Sequence, residues 1–230
     1  MKKITKTTAV LLALALLLAA GCAKPEDDIL PEAAWVDLGL PSGLLWAACN
    51  VGANFPEEYG DYFAWGETQP KETYDQYTYR FYNEEFWLTK YNNIPAYGGE
   101  SGFTDTLTIL QPSDDAATAN LAHARTPTCA EWEELISNTT SEWDTLNGVA
   151  GRRLTGPNGN SIFLPAADAC RTSGPPPTRV GRAGLYWTST LKPVYIRSAM
   201  AVCFSSKQET QILGGLRQHG MTVRPVRSAL

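Results

Sequence analysis

The chain has 230 residues, a formal net charge of −5, 43% hydrophobic residues and 10% aromatic residues. This apolar fraction is enough to build a core, which excludes a largely disordered chain. The acidic balance and the lack of a basic patch argue against nucleic acid as a partner.

The first residues have the pattern of an export signal. Lys2, Lys3 and Lys6 precede an uninterrupted apolar run over 9–20. That run is shorter than the roughly 20 residues that a membrane-spanning helix needs, so residues 1–21 are predicted to be a signal peptide.

Cys22 is the predicted lipidation site. The sequence Leu18-Ala19-Ala20-Gly21-Cys22 resembles a bacterial lipobox, in which the Cys becomes a lipidated N-terminus. A membrane contact through this lipid alone is therefore expected, and an ordinary cleaved signal with an incidental Cys is the alternative. Residues 22–33 form a polar, acidic tether that resembles the surface-export signal of some Gram-negative lipoproteins. This resemblance predicts an outer-membrane lipoprotein exposed on the cell surface; the alternative is a merely solvated tether.

Residues 34–230 are predicted to form one α+β domain, with short strands first at 44–51 and 62–65. A short helix is expected over 114–122, with Ser113 or Asp114 as its N-cap. A second helix is predicted over 129–137, because Thr128 and Glu131 have the spacing of a capping box and Trp132 begins an apolar face.

The second half has the pattern of β-structure. Strands are predicted at 161–164, 185–189, 199–204 and 221–224, with a tight turn at 155–160. Residues 172–184 contain Pro175-Pro176-Pro177 and are predicted to form a surface loop.

Several sequence blocks resemble the major paralogous domain (FISUMP) family of bacterial lipoproteins. They occur in the family's order at 36–47, 49–53, 59–68, 114–117, 125–132, 159–167, 186–190 and 223–226. The resemblance implies a C-type-lectin-like fold with twisted antiparallel sheets, two short helices and long loops, related to the sulfatase-modifying (formylglycine-generating) domain. The blocks contain the expected structural residues, which are Trp46, Trp65, Arg125, Glu131, Trp132 and Arg224.

Two departures from the family pattern stand out. Ala122-His123-Ala124 replaces a common Gly-Gly-x-Trp, and Asp168-Ala169-Cys170-Arg171 replaces a common Gly-Tyr-Arg. Arg224 is expected to pair with an acid such as Glu131 or Asp61.

No catalytic residue is predicted. The related sulfatase-modifying enzymes use closely spaced Cys residues, whereas Cys49, Cys129, Cys170 and Cys203 lie far apart. These four residues form either disulfides of undetermined connectivity or buried thiols. No cofactor is predicted, because no metal motif or lectin-type calcium triplet is present; a structural calcium near Asp61 or Glu67 is left open.

Two segments are candidates for ligand binding. The stretch 74–97 is crowded with rings, among them Tyr77, Tyr79 and Trp87, and Tyr77, Tyr79 and Phe81 are predicted to share one strand face. The alternative is that these rings pack on their own domain. The loop before Trp187 carries Arg171, Arg179 and Arg182, whose positive charge favours an acidic glycan or an acidic protein patch; the alternative is a solvated loop.

The predicted function is thus that of a non-catalytic binding or adhesion module for a glycan or protein. A divergent sulfatase-modifying-type oxidase and a structural envelope or fimbria-associated protein are the alternatives. Asp105-Thr106-Leu107 and Asp144-Thr145-Leu146 resemble short O-glycosylation signals, at Thr106 and Thr145.

Overall fold

Nine short strands and two α-helices form the regular structure of residues 34–170 and 180–229, the parts of the chain that the computed structural model describes. The predicted signal peptide, Cys22, the predicted tether, Arg171 and Arg179 lie outside these residues. The strands form three antiparallel sheets, which confirms the α+β class.

Each sheet has three strands. The first has the order β1-β2-β9, the second β3-β4-β5 and the third β6-β7-β8. Their bounds are Trp35–Asp37 (β1), Leu45–Ala47 (β2), Thr140–Leu146 (β3), Val149–Thr155 (β4), Ser161–Pro165 (β5), Ala183–Leu191 (β6), Ser198–Ser205 (β7), Gln211–Leu216 (β8) and Val226–Arg227 (β9).

The helix α2, Cys129–Asn138, confirms the capping-box prediction. The Thr128 hydroxyl accepts from the Glu131 amide, and the Glu131 carboxylate accepts from the Thr128 amide at 2.7 Å. Glu131 also forms two hydrogen bonds with Arg125. The start of α2 is therefore fixed to the chain that precedes it.

The helix α1, Ala116–Asn120, is shorter than predicted. Asp115 caps it by accepting from the amides of Ala117 and Thr118, so the prediction of Ser113 or Asp114 as the cap is wrong. A 3₁₀-helix, Pro112–Asp114, precedes it, and another spans Pro95–Tyr97.

The third sheet separates two apolar clusters. Val202 and Phe204 of β7 belong to the cluster that contains Trp46 and Trp132, whose rings are 4.8 Å apart at 67°. Ala199 and Ala201, which alternate with them, belong to the cluster that contains Trp65 and Trp187. Side chains of one strand alternate between faces, so β7 contributes to both cores. The predicted burial of Trp46, Trp65 and Trp132 is confirmed.

Several predicted strands are shorter in the structure. Of the strand predicted over 44–51, only the residues of β2 form a strand, because the chain bends at Ala48. Residues 62–65 and 221–224 contribute only isolated bridges, such as Phe63 with Met221, so these two strand predictions are wrong. Ala183 and Gly184 belong to β6 and not to the predicted loop. Strands β1, β3, β4, β8 and β9 are not among the predicted strands.

Arg224 is fully buried, but it does not bind an acid. Its guanidinium donates to the carbonyls of Ala47, Ala48 and Phe163 and to the side-chain oxygen of Asn50. The predicted pairing with Glu131 or Asp61 is therefore wrong. Burial lowers the pKa of Arg224. The side chain joins β2, β5 and the last segment of the chain.

Candidate functional site

Rings of the segment 74–97 are divided between the core and the surface. Tyr74, Tyr79, Phe81 and Tyr91 are buried. The Tyr74 hydroxyl donates to the Tyr62 carbonyl at 2.5 Å, and the Tyr79 hydroxyl donates to the Trp65 carbonyl at 2.8 Å. The alternative that rings of this segment pack on their own domain is therefore confirmed for these four side chains.

The segment is a series of turns and not a strand. Tyr77 is 77% exposed whereas Tyr79 and Phe81 are buried, so the prediction that the three share a strand face is wrong. Because its ring is enclosed, Tyr79 is not available to a ligand, and we remove it from the candidate ligand-binding residues.

The outward part of the segment presents Tyr77, Phe86 and Trp87. The rings of Tyr77 and Phe86 meet edge to face, with centroids 5.2 Å apart. Trp87 is half-buried and packs beside Gly99. Phe86 has a φ of 62°, a left-handed conformation that is uncommon for a residue with a bulky side chain. Tyr77 is thus the exposed ring of this group, and the half-buried Phe86 supports it from a strained backbone position.

The connection between β6 and β7, residues 192–197, adds a second exposed group. Val194 is 76% exposed and Tyr195 is 67% exposed. The Lys192 ammonium lies 5.0 Å from the centre of the Tyr195 ring. Val194 has a φ of 68°, an outlier for a β-branched residue. The sequence gives little warning of this feature beyond Pro193, which marks a turn between two apolar strands.

Arg197 joins the two exposed groups. Its guanidinium lies 5.6 Å from the Tyr82 ring centre and 5.4 Å from that of Tyr97. It also donates to the Phe86 carbonyl at 3.4 Å. We call Tyr77, Phe86 and Trp87, together with the connection 192–197, the aromatic surface.

A buried carboxylate anchors the segment behind this surface. Asp114 accepts from the Lys90 ammonium at 2.5 Å and from the Tyr91 hydroxyl at 2.6 Å, and Arg80 lies 3.5 Å away. Burial is the largest influence on the pKa of Asp114 and raises it. The hydrogen bonds and charges of these partners together outweigh burial and hold the pKa below its ordinary value.

Arg217 also anchors Lys90 and Tyr91, through their backbone carbonyls. It is fully buried, donates to the Tyr91 carbonyl at 2.6 Å, and lies 5.1 Å from the Trp65 ring centre. Burial lowers the pKa of this guanidinium. Lys90 and Tyr91 are thereby fixed through both backbone and side chain.

Two of the predicted ligand contacts lie elsewhere. Trp187 is buried and donates from its ring to the Phe63 carbonyl at 2.7 Å, so it belongs to the core and cannot contact a ligand. Arg182 is exposed, but it precedes β6, whereas Lys192 follows the same strand. A strand of this length is about 25 Å long, so Arg182 and the connection 192–197 lie at opposite ends of it.

In the part of the chain that the structure describes, the cysteines are not bonded to one another, and they form no metal-binding cluster with acidic or His side chains. Cys49, Cys129, Cys170 and Cys203 form no disulfides with one another. Burial, with a smaller contribution from Glu133, raises the pKa of Cys129 to about 11; burial and Asp168 do the same for Cys170. Between residues 34 and 229, leaving out 171–179, no three His, Cys, Asp or Glu side chains come together to hold a metal ion. Glu67, near which a structural calcium was left open, forms an ion pair with Lys71 at 2.7 Å.

The aromatic surface combines residue types that are common in binding sites. Exposed rings with polar edges stack on sugar rings and act as energetic centres of protein interfaces, and nearby cations add attraction to π-systems or acids.

Thr106 and Thr145, the candidate O-glycosylation sites, are both exposed, as a modified hydroxyl requires.

No protein-family model, curated protein or solved structure matches the chain. Within the described residues, no helix has the length and apolarity that crossing a membrane requires.

Proposed function

We propose that this chain is a lipid-anchored, surface-exposed lipoprotein of the outer membrane that binds a glycan or a protein without transforming it. In this proposal Cys22 carries the lipid and residues 22–33 hold the domain away from the membrane. The domain is a C-type-lectin-like member of the FISUMP family. The sequence blocks quoted above and the α+β class with antiparallel sheets support this assignment.

The observation that carries the binding proposal is the exposure of Tyr77 and Tyr195 on an otherwise fixed frame. Large exposed rings are costly to leave in water unless a partner covers them, and an aromatic side chain loses few rotamers when it binds. Arg197 attaches the connection that carries Tyr195 to Tyr82 and to the Phe86 carbonyl of the segment that carries Tyr77, and such attachment lowers the entropy that the protein loses when a ligand binds.

The thiols support a non-catalytic role. A reactive Cys needs a lowered pKa and an electropositive environment, whereas the pKa values of Cys49, Cys129 and Cys170 are raised, chiefly by burial. An oxidase of the sulfatase-modifying type would need a Cys whose pKa is lowered.

The test is a glycan array with the soluble 34–230 domain, with and without calcium. The variant Tyr77→Ala/Tyr195→Ala removes both exposed rings, and Phe55→Ala removes an exposed ring that is not part of the aromatic surface. We expect the double variant to lose at least tenfold in binding to any glycan that the chain recognises, because each stacked ring contributes on the order of 1 kcal/mol. Phe55→Ala should bind normally. Equal binding by the wild-type domain and both variants would contradict the proposed site. Binding that requires calcium would contradict the prediction that the domain uses no cofactor.

A further inference from the structure

The strand β8 lies at the end of its sheet and pairs only with β7. The Arg217 amide donates to the Arg197 carbonyl at 3.1 Å, which continues the ladder between these strands by one pair beyond Ser198 and Leu216. In an antiparallel ladder the bonded pairs alternate, so the odd-numbered residues of β8 bond to β7. Ile212, Gly214 and Leu216 therefore direct their N–H and C=O groups away from the sheet.

This outer edge is open. The Leu216 carbonyl accepts from the His219 amide, but no other hydrogen bond from a described residue reaches the outward groups of Ile212, Gly214 or Leu216. The strand contains no charged residue and no Pro, the usual devices that protect an edge from pairing. By contrast, the edge strand β3 contains Glu142 and Asp144. Leu213 and Leu216 are 47% and 42% exposed, so β8 combines an open backbone edge with apolar side chains.

A cleft of about 230 Å³ lies beside this edge, between α2 and the start of β8. Its lining residues are Glu133, Ile136, Ser137, Thr210, Gln211 and Ile212. Thr210 is only 8% exposed, and its hydroxyl has no hydrogen-bond partner among the described residues. A buried hydroxyl without a partner is destabilising.

The charge of the cleft selects the occupant. Glu133 is exposed, is the only charged residue that lines the cleft, and forms no ion pair with a described residue. A second copy of β8 offers neither Lys nor Arg to meet it. The aliphatic side chains of Ile136 and Ile212 favour an apolar side chain between them.

We propose that β8 accepts an extended peptide segment of another protein as an added strand. The peptide backbone bonds to Ile212, Gly214 and Leu216, one aliphatic side chain enters the cleft, and a Lys or Arg pairs with Glu133. This is strand addition at a sheet edge, in which main-chain bonds give affinity and alternate side chains give specificity. The proposal does not depend on the aromatic surface, because it uses a different kind of contact; of the residues of that surface, Lys192 lies against Gly214.

Two variants at Gly214 separate the backbone contact from side-chain effects. A Cβ at this position meets only the outer part of the flexible Lys192 side chain, so Gly214→Ala and Gly214→Pro both displace Lys192. Only the Pro variant loses the outward N–H, which the ladder to β7 does not use. The two variants thus differ mainly in the group that a bound strand would need.

The probe is a phage-displayed library of short random peptides, selected on the full chain purified in detergent. We expect enriched peptides with alternating aliphatic residues and a Lys or Arg. Gly214→Pro should weaken their binding about tenfold relative to Gly214→Ala. Glu133→Gln should weaken binding several-fold for the peptides with a basic residue and leave others unchanged.

A measurement on the peptide covers the case in which the Pro variant does not fold. N-methylation of alternate residues of an enriched peptide should abolish binding in one register and leave it intact in the other, because only every second N–H of an added strand faces β8. Failure to enrich any peptide, or equal sensitivity of both registers, would overturn the proposal. So would a concentration-dependent dimer of the Ala variant that the Pro variant lacks, because it would identify a second copy as the occupant.

Discussion

Replacing Asp114 by Asn tests whether one buried carboxylate holds the ring-bearing segment in place. Asp114 is buried and bound to Lys90 and Tyr91, with Arg80 close by. Removing one partner of a buried pair costs about 3–5 kcal/mol, because the other charge is left behind. Here the Lys90 and Arg80 side chains are 30% and 53% exposed, so water compensates part of that loss. We therefore expect a loss of about 2 kcal/mol in the free energy of unfolding.

Urea unfolding at neutral pH measures this loss as a lower midpoint with an unchanged slope. In a chain of this size, about 2 kcal/mol corresponds to a melting temperature lower by about 4–8 °C. Glu100→Gln is the matched control, since it removes the same charge from an exposed position and should change stability by less than about 0.5 kcal/mol.

The pH dependence of the free energy of unfolding shows whether Asp114 stabilises the fold through its charge or only through packing. Because the folded-state pKa of Asp114 is lowered, its contribution is present above the unfolded value of about 3.9 and is lost as the pH falls through the folded value. The difference between the wild-type chain and Asp114→Asn should thus shrink below about pH 4. A difference that is equally large at pH 3 and pH 7, or no larger than that of Glu100→Gln, would refute the reasoning.

Three further substitutions test the core, the exposed connection and the anchor. Trp132→Ala should lower the free energy of unfolding by about 3–5 kcal/mol in urea, because it empties the space against Trp46; a loss below about 1 kcal/mol would contradict this packing. Val194→Gly should raise the melting temperature slightly, since it relieves a left-handed β-branched residue that is exposed; a decrease would show that Val194 has packing partners. Cys22→Ser should move the protein from the membrane to the soluble fraction, and persistent membrane association would argue against the lipid anchor.

Local signals predicted those parts of the fold that local interactions determine. Thr128 and Glu131 satisfy each other within one helical turn, so the start of α2 could be predicted from four residues. The β4–β5 turn was likewise predicted from Asn158-Gly159. An equivalent signal, Asn147-Gly148, joins β3 to β4 with both residues at positive φ, yet the hairpin was missed. The strands of this hairpin show little alternation of polar and apolar residues, because β3 has polar side chains on both faces.

The strand β8 could not be predicted because a distant contact determines it. Gly214-Gly215 has the composition of a turn. In the structure, a Cβ at Gly215 would lie against Met221 and Trp187, so glycine there allows the strand to pass close to the core. The rings of 74–97 present the same difficulty. Tyr77 and Tyr79 are two residues apart, and the contacts that bury Tyr79, among them its hydrogen bond to the Trp65 carbonyl, cannot be predicted from the local sequence.

The hydroxyls of the buried tyrosines explain how a segment with no α-helix or strand can hold exposed rings in place. The segment is attached at Tyr74, Tyr79 and Tyr91 by hydrogen bonds to distant groups, and Tyr77 lies between two of these points. Tyr79→Phe retains the buried ring but removes one attachment and leaves the Trp65 carbonyl without that donor, at a cost of about 1–2 kcal/mol. If opening of the turns around Tyr77 is controlled by this bond, hydrogen exchange of amides 75–82 should accelerate about tenfold while that of α2 is unchanged. Unchanged exchange at 75–82 would mean that the ring packing alone fixes the segment, and that the exposed rings owe their position to Arg197 and not to the tyrosine hydroxyls.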